Sequence, residues 1–171
     1  ARRIDAVNTV VVEKDGTLTG FNNDGNGFVQ SLRDADPEWR PDSGPIVVLG
    51  AGGAARAVVA TLAAQGAREI RLVNRTYERA QGIAQEFGPP VTAVRWDDRA
   101  DALDGVALLA NAKSLGMAGK PPLDIEIDRL QYPLRHWTDG AATGFVILSD
   151  GKVVPAVTFP TSLAGSAPYR R

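Results

Sequence analysis

The chain lacks cysteine entirely and contains a single histidine, and the first absence removes whole classes of chemistry. Without cysteine there is no disulfide framework, no cysteine-ligated zinc, no iron–sulfur cluster and no cysteine nucleophile. Neither sign of charge is in excess, because 19 lysines and arginines against 20 aspartates and glutamates leave a formal charge of −1. We therefore expect no general electrostatic attraction to nucleic acid or to an anionic membrane.

Long apolar runs are also missing from the sequence. None approaches the roughly 20 residues that a membrane-spanning helix needs, and no basic segment followed by an apolar one opens the chain. We accordingly expect a cytoplasmic protein. The chain begins with Ala1 and not with methionine, from which we expect processing or fragmentation. Its 171 residues suggest about one domain.

Short apolar segments alternate with helix-like segments, a pattern typical of a parallel sheet with crossover helices. The predicted strands are residues 7–12, 18–21, 46–49, 70–73, 91–94 and 106–110. The predicted helices are residues 54–65 and 77–87, with a further helix capped by Asp24 and running through Phe28 and Leu32. Residues 34–44, with two prolines and several charges, are predicted to form a surface linker.

A glycine-rich turn between a predicted strand and a predicted helix is the strongest local motif. It has the form G-x-G-x-x-A and comprises Gly50, Ala51, Gly52, Gly53, Ala54 and Ala55. Gly50 permits the sharp turn, Gly52 lets a pyrophosphate approach the backbone, and Ala55 lets the helix lie close to the strand. Such a turn can also occur without a ligand, but the strand–turn–helix context predicts dinucleotide binding at the helix N-terminus.

The end of the next predicted strand indicates which dinucleotide is bound. NAD-binding folds usually place an acidic residue there, whereas this chain has Asn74, Arg75 and Thr76, with Arg79 one turn later. A guanidinium can bind a 2′-phosphate through paired hydrogen bonds, and a carboxylate would repel it. Both arginines could instead be solvated residues at a helix start, but arginine is unfavourable in a first helical turn. The sequence therefore favours NADP over NAD.

Five motifs, in this order, resemble those of the shikimate dehydrogenases and span about residues 4 to 130. They are Ala6-Val7-Asn8-Thr9, Gly20-Phe21-Asn22-Asn23-Asp24-Gly25, Gly50-Ala51-Gly52-Gly53-Ala54-Ala55-Arg56, Asn74-Arg75-Thr76-x-x-Arg79 and Asn111-Ala112-Lys113-Ser114-Leu115-Gly116-Met117. The resemblance implies an enzyme of aromatic amino acid (chorismate) biosynthesis that reversibly reduces 3-dehydroshikimate to shikimate with NADPH.

The resemblance also implies a role for each motif. Asn8 and Asp24 would hold substrate hydroxyls, and Asp24 would be catalytic together with a lysine from an N-terminal lobe that lies upstream of this chain. Asn74, Arg75, Thr76 and Arg79 would bind the 2′-phosphate of NADP. The nicotinamide side would be lined by Asn111, Ser114 and Met117. For Asp24 the alternative is a helix cap alone, and for Met117 it is a place in the core. No metal site is expected.

Three departures from the family pattern stand out. Asn23 replaces a threonine, and Lys113 replaces another threonine and puts a cation near the nicotinamide region. Lys113 could disturb cofactor binding or simply point to solvent. Residues 132–171 do not match the family, so His136 within them is not expected to be catalytic; they end in residues 160–171, which are predicted to be an irregular tail. A divergent end, an altered reading frame and a truncated gene all remain open for this segment.

We therefore predict an α/β fold, a Rossmann-type doubly wound parallel sheet with a remnant of a second substrate-binding lobe. The lobe remnant is residues 1–22, a linker helix and loop residues 23–44, the NADP-binding domain residues 45–131, and residues 132–171 are unassigned. The predicted function is an NADP-dependent shikimate dehydrogenase, present as a fragment. The alternatives are an NADP(H)-binding remnant without turnover and a quinate/shikimate dehydrogenase relative. The expected partner is a small-molecule substrate, and the oligomeric state is not predicted.

Overall fold

The computed structural model of the protein describes residues 4–113, 123 and 125, together with two strands at 145–148 and 153–155. Its helices are α1 (Asp24–Ala35), α2 (Gly53–Ala64) and α3 (Tyr77–Phe87). Its strands are β1 (Thr9–Val12), β2 (Leu18–Phe21), β3 (Ile46–Leu49), β4 (Ile70–Asn74), β5 (Val91–Arg95), β6 (Leu108–Asn111), β7 (Phe145–Leu148) and β8 (Val153–Pro155). Short 3₁₀ turns cover Trp96–Asp98 and Asp101–Leu103.

The central sheet has the strand order β5-β4-β3-β6-β7-β8. Strands β3 to β6 run parallel, and β7 and β8 continue the sheet antiparallel. Every residue of β3 and β6 is buried, as expected for parallel strands that are covered on both faces. The chain leaves β3 toward β4 on one side, while β6 lies on the other side. The carboxyl ends of β3 and β6 therefore flank the topological switch point, where α/β sheets bind ligands.

Apolar side chains cover the two faces of this sheet unequally. On one face, α1, α2 and α3 contribute Phe28, Leu32, Val58, Leu62 and Ile83 to the larger core cluster. On the other face, a smaller cluster joins strand residues to the 3₁₀ turn at Asp101–Leu103; it comprises Val47, Leu49, Val73, Ala102, Leu103 and Leu109. The helical face therefore carries most of the buried apolar surface in the part of the chain described.

A separate hairpin precedes the central sheet. Strands β1 and β2 pair antiparallel from Thr9 opposite Phe21 to Val12 opposite Leu18, and Gly16 adopts φ +84° in the turn between them. The hairpin leaves apolar side chains in solvent, with Val12 68% and Leu18 70% exposed. It is followed directly by α1, which packs against α2. The packing of α1 therefore fixes where the end of the hairpin meets the rest of the molecule.

The fold class is confirmed, since four parallel strands alternate with helices as predicted. The predicted strands at 18–21 and 46–49 and the helix at 77–87 have the predicted bounds. Two strands begin later than predicted, because β1 starts at Thr9 and β6 at Leu108. The division into a lobe remnant, linker and cofactor domain stays a prediction.

Two predictions from the sequence are wrong in detail. Asp24 does not cap α1 but is its first residue, and the cap position belongs to Asn23, which makes no side-chain capping bond. The segment 34–44 is not simply a surface linker, because α1 extends to Ala35 and Trp39 is 7% exposed within the larger core cluster. Within the unassigned residues 132–171, β7 and β8 add a hairpin to the sheet, and the irregular tail predicted at residues 160–171 lies outside the described residues. Among the described residues, no helix is long and apolar enough to cross a membrane.

Candidate functional site

An open cleft of about 260 Å³ lies at the carboxyl ends of β3, β4 and β6. It brings together three motifs that are far apart in the sequence; its lining residues are Gly50, Ala51, Gly52, Asn74, Arg75, Arg79, Ala112 and Lys113. Three of these residues are cationic and none carries a carboxylate. The cleft lies at the topological switch point of the sheet, so both its position and its charge suit an anionic ligand.

The glycine turn forms the floor of this cleft. Gly50 adopts φ +120°, and a Cβ built on it would lie 3.1 Å from the Ala112 carbonyl oxygen. Its N–H donates to the Val73 carbonyl at 2.8 Å, which holds the turn against β4. A Cβ built on Gly52 or Gly53 would meet no heavy atom within 4 Å, so the space above the start of α2 is open. Backbone N–H groups at a helix start bind phosphate well, and this turn leaves them accessible.

The alanines that follow the turn separate into two environments. Ala55 is fully buried in the larger core cluster, where its small side chain lets α2 lie close to the sheet. Ala54 is only partly buried, and Ala51 lines the cleft. The turn therefore places small side chains both toward the core and toward the cleft.

The segment after β4 supplies two guanidinium groups to the rim. Asn74 is buried, and its Nδ2 donates to the Thr76 carbonyl at 2.9 Å, which holds the chain as it leaves the strand. Arg75, Thr76 and Arg79 are exposed, and within the described residues neither arginine forms an ion pair. Thr76 stands at the cap position of α3 without a capping bond. Guanidinium groups that have no carboxylate partner are well suited to bind a phosphate.

The third cation comes from the loop after β6. The Lys113 N–H donates to Asn111 Oδ1 at 3.0 Å, and its Nζ lies 5.0 Å from the centroid of the Trp96 ring. Burial and the Arg75 guanidinium lower the pKa of Lys113 below its ordinary value. Lys113 thus lies within the cleft instead of simply pointing to solvent. Ser114, Met117 and His136 lie outside the described residues.

Trp96 is the cleft neighbour that sequence reasoning missed. It follows β5, and its ring carries Arg99 at 5.1 Å in addition to Lys113. The available signal was its position just after a predicted strand, since the carboxyl ends of parallel strands share one edge of the sheet. Its contact with Lys113 could not be inferred, because the two residues lie in different loops.

The two residues predicted to hold substrate hydroxyls do meet in the structure. Asn8 Nδ2 donates to Asp24 Oδ1, joining the residue before β1 to the first residue of α1. Asn8 Oδ1 accepts hydrogen bonds from the Asn23 N–H at 3.1 Å and from Thr9 Oγ1 at 2.9 Å. The Asp24 N–H donates to Asn22 Oδ1 at 3.1 Å. These bonds orient a partly exposed carboxylate beside an exposed amide.

Comparison with protein families gives one match. Residues 40–114 match the family described as Shikimate / quinate 5-dehydrogenase. The matched region contains the glycine turn, the arginines after β4 and the start of the motif after β6. It therefore covers every described residue that lines the cleft.

Similar curated and solved proteins carry related names. A shikimate dehydrogenase (NADP⁺) of Paramagnetospirillum magneticum is 56% identical over 130 residues, which are 76% of this chain and 47% of that protein. The quinate dehydrogenase of Corynebacterium glutamicum, solved with NAD, has TM-score 0.66 at 27% identity, covering 75% of this chain and 46% of its own.

A further solved structure is the shikimate 5-dehydrogenase of Thermus thermophilus in complex with NADP(H) and shikimate. It has TM-score 0.57 at 38% identity, covering 70% of this chain and 44% of its own. The chain spans about half the length of the curated relatives that it matches. These matches confirm the resemblance inferred from the five motifs.

Proposed function

Since this chain belongs to the shikimate dehydrogenase family, we propose that it provides the NADP(H)-binding part of an enzyme that reversibly reduces 3-dehydroshikimate to shikimate. One observation carries the proposal, namely the cleft that joins the glycine turn to Arg75 and Arg79, whose described lining contains no carboxylate. The pathway would be aromatic amino acid (chorismate) biosynthesis, and the location would be the cytoplasm.

The residues of the cleft fit NADP(H) better than NAD(H). The open backbone at Gly52 and Gly53 leaves room for the two linked phosphates at the start of α2. Arg75 and Arg79 would bind the additional 2′-phosphate. NAD lacks this phosphate, so it would leave both guanidinium groups without an anion to bind. When bound, the cofactor supplies the hydride. The protein's part is to fix the dinucleotide, since orientation is a large share of catalysis in such reactions.

Substrate binding is assigned to the Asn8–Asp24 pair. Asp24 accepts a hydrogen bond from Asn8 and keeps further acceptor capacity for a substrate hydroxyl, because a carboxylate has two oxygens. The Asn8 amide orients this carboxylate and is itself held by Asn23 and Thr9. The pair would therefore bind hydroxyl groups on a polar ring, and shikimate is a substrate of this kind.

Proton transfer is the step for which the described residues offer least. A carboxylate is a poor proton donor by itself, so the developing alkoxide needs a second group that donates the proton. Neither described lysine, Lys14 or Lys113, forms an ion pair with Asp24. The family resemblance implies a lysine from an N-terminal lobe as the partner. For the 171-residue chain tested alone, we expect NADP(H) binding to be retained better than catalytic turnover.

A cofactor-binding remnant without turnover is the second candidate, and the lack of a described lysine beside Asp24 favours it. The two candidates differ in one assay, which follows loss of NADPH absorbance in the presence of 3-dehydroshikimate. Turnover supports the dehydrogenase, whereas tight NADPH binding without turnover supports the remnant. Quinate with NADP⁺ or NAD⁺ is the third arm, and preference for quinate would indicate the quinate/shikimate relative.

The assignment of Arg75 gives a direct test of cofactor choice. Replacing Arg75 with alanine should weaken NADPH binding by about 1–3 kcal/mol, the range for a charge-assisted hydrogen bond, and leave NADH binding nearly unchanged. Arg68→Ala is the matched control, because Arg68 is an exposed arginine paired with Asp42 outside the cleft. Calorimetric titration of the three proteins measures these affinities. Equal binding of NADH and NADPH by the unaltered chain would contradict the proposal.

A further inference from the structure

Lys113 occupies a position that its place in the chain does not suggest. It follows β6, yet its side chain crosses the glycine turn, with Cγ 3.2 Å from the position of a Cβ built on Gly50. The Ala112 N–H donates to the Leu49 carbonyl at 2.9 Å and holds this loop against β3. The Lys113 side chain therefore lies across the floor of the cleft, and a hydrogen bond to β3 holds its backbone in place.

The ammonium ends on the same side of the cleft as the 2′-phosphate arginines. Its Nζ rests over Trp96, which follows β5, and β5 lies next to β4, the strand that ends before Arg75. The Arg75 guanidinium is close enough to contribute, after burial, to the lowered pKa of Lys113. The ammonium is thus directed toward the Arg75 side of the cleft.

Three like charges share this cleft, and none of the described residues that line it carries a carboxylate. Lys113, Arg75 and Arg79 all line it, and within the described residues none of the three forms an ion pair. The Trp96 ring offers Lys113 only a weak attraction, and Arg99 already occupies the same ring. A bound anion would stabilise this arrangement more than a second aromatic contact could.

We propose that Lys113 is a specificity-determining residue that leaves the Trp96 ring to bind the 2′-phosphate of NADP(H) together with Arg75 and Arg79. This inference rests on the proposed function. It assigns a role to a cation that stands where the family pattern has threonine. It also makes the contribution of Lys113 specific to the phosphorylated cofactor, because NAD(H) offers no anion on that side of the cleft.

The test compares the full chain with Lys113→Met and Lys113→Arg by titrating each with NADPH, NADH and adenosine 2′,5′-bisphosphate. Lys113→Met should weaken binding of NADPH and of the bisphosphate about tenfold, which corresponds to roughly 1.4 kcal/mol. It should leave NADH binding within about twofold, whereas Lys113→Arg should retain most of the preference for the phosphorylated ligands. Lys14→Met, which removes a lysine from the hairpin turn, is the charge control.

The alternatives give distinct results. If the unaltered chain prefers NADPH but Lys113→Met binds it equally well, the role of Lys113 is overturned and the proposed function stands. Equal losses of affinity for NADPH and NADH would show that Lys113 acts on a part that both cofactors share. This result would also overturn the proposed role of Lys113. If the unaltered chain binds neither cofactor, the proposed function fails, and this inference fails with it. Circular dichroism of each variant verifies that the fold is kept.

Discussion

Gly25 is the residue at which the two packed helices leave no room for a side chain. A Cβ built there would overlap the Thr61 side chain and the Ala57 carbonyl oxygen of α2. Gly27 lies in the same helix, and a Cβ built on it would meet no heavy atom within 4 Å. Two glycines of α1 therefore differ only in what surrounds them, which makes them a matched pair.

Substituting each with alanine should move stability in opposite directions. Gly25→Ala should cost about 1–3 kcal/mol because the helices must separate, with larger losses if the backbone resists. Gly27→Ala should add up to about 1 kcal/mol, because alanine is the better helix former. Urea unfolding of both variants measures the change. A Gly25→Ala protein as stable as the unaltered chain would show that α1 and α2 do not pack this closely.

At the scale of elements, α1 shares a hydrophobic core with the helix and strands that form the cleft. Leu32 is fully buried in the cluster that includes α2 and the central strands. Leu32→Ala should destabilise the chain by about 2–5 kcal/mol, since a buried leucine leaves a cavity when truncated. Gln30→Ala, on the exposed side of the same helix, loses only its bond to Asp34 and should cost a few tenths of a kcal/mol.

We expect Leu32→Ala to unfold in a single transition in thermal and urea melts, with a midpoint lower than that of the unaltered chain. Separate melting of α1 while NADPH binding persists would contradict it. The same measurement tests the predicted division between a linker helix and loop at residues 23–44 and an NADP-binding domain at residues 45–131. A shared transition would mean that this boundary does not separate two cooperative units.

Some elements were predictable because the relevant signals are local. Ile46–Leu49 is a short apolar run followed by glycine, and Tyr77–Phe87 is flanked by Thr76 and Gly88. The hairpin of β7 and β8 also has a local signal, because Asp150-Gly151 separates two apolar segments, although the strands predicted above do not include it. The burial of Trp39 and the contact of Lys113 with Trp96 had none, because both depend on which elements pack together.

At the scale of the whole molecule, charge is distributed unevenly. The chain has a formal charge of −1, yet the described lining of the cleft contains three cations and no carboxylate. Composition alone excluded a general attraction for polyanions and could not reveal this local concentration. Only the topology, which brings the ends of β3, β4 and β6 together, creates it.

Binding of NADPH should therefore weaken with salt more steeply than binding of NADH. Raising ionic strength from roughly 0.1 M to 1 M shortens the Debye length from about 10 Å to about 3 Å, which screens the exposed arginines from the additional phosphate. Titrations at several sodium chloride concentrations give the two slopes, with unfolding midpoints at each salt concentration as the control. Parallel slopes would show that the extra phosphate is not bound by this cationic rim.

The contact between α1 and α2 sets the spacing between Asp24 and the glycine turn. Helix α1 starts at Asp24 and helix α2 starts in the glycine turn, and the two helices touch at Ala57 and Thr61, about one and two turns along α2. A slip of α1 along α2 by a single turn would displace the Asp24 carboxylate by about 5.4 Å. This displacement is larger than the length of a hydrogen bond, so the carboxylate would lose its present hydrogen-bond partners.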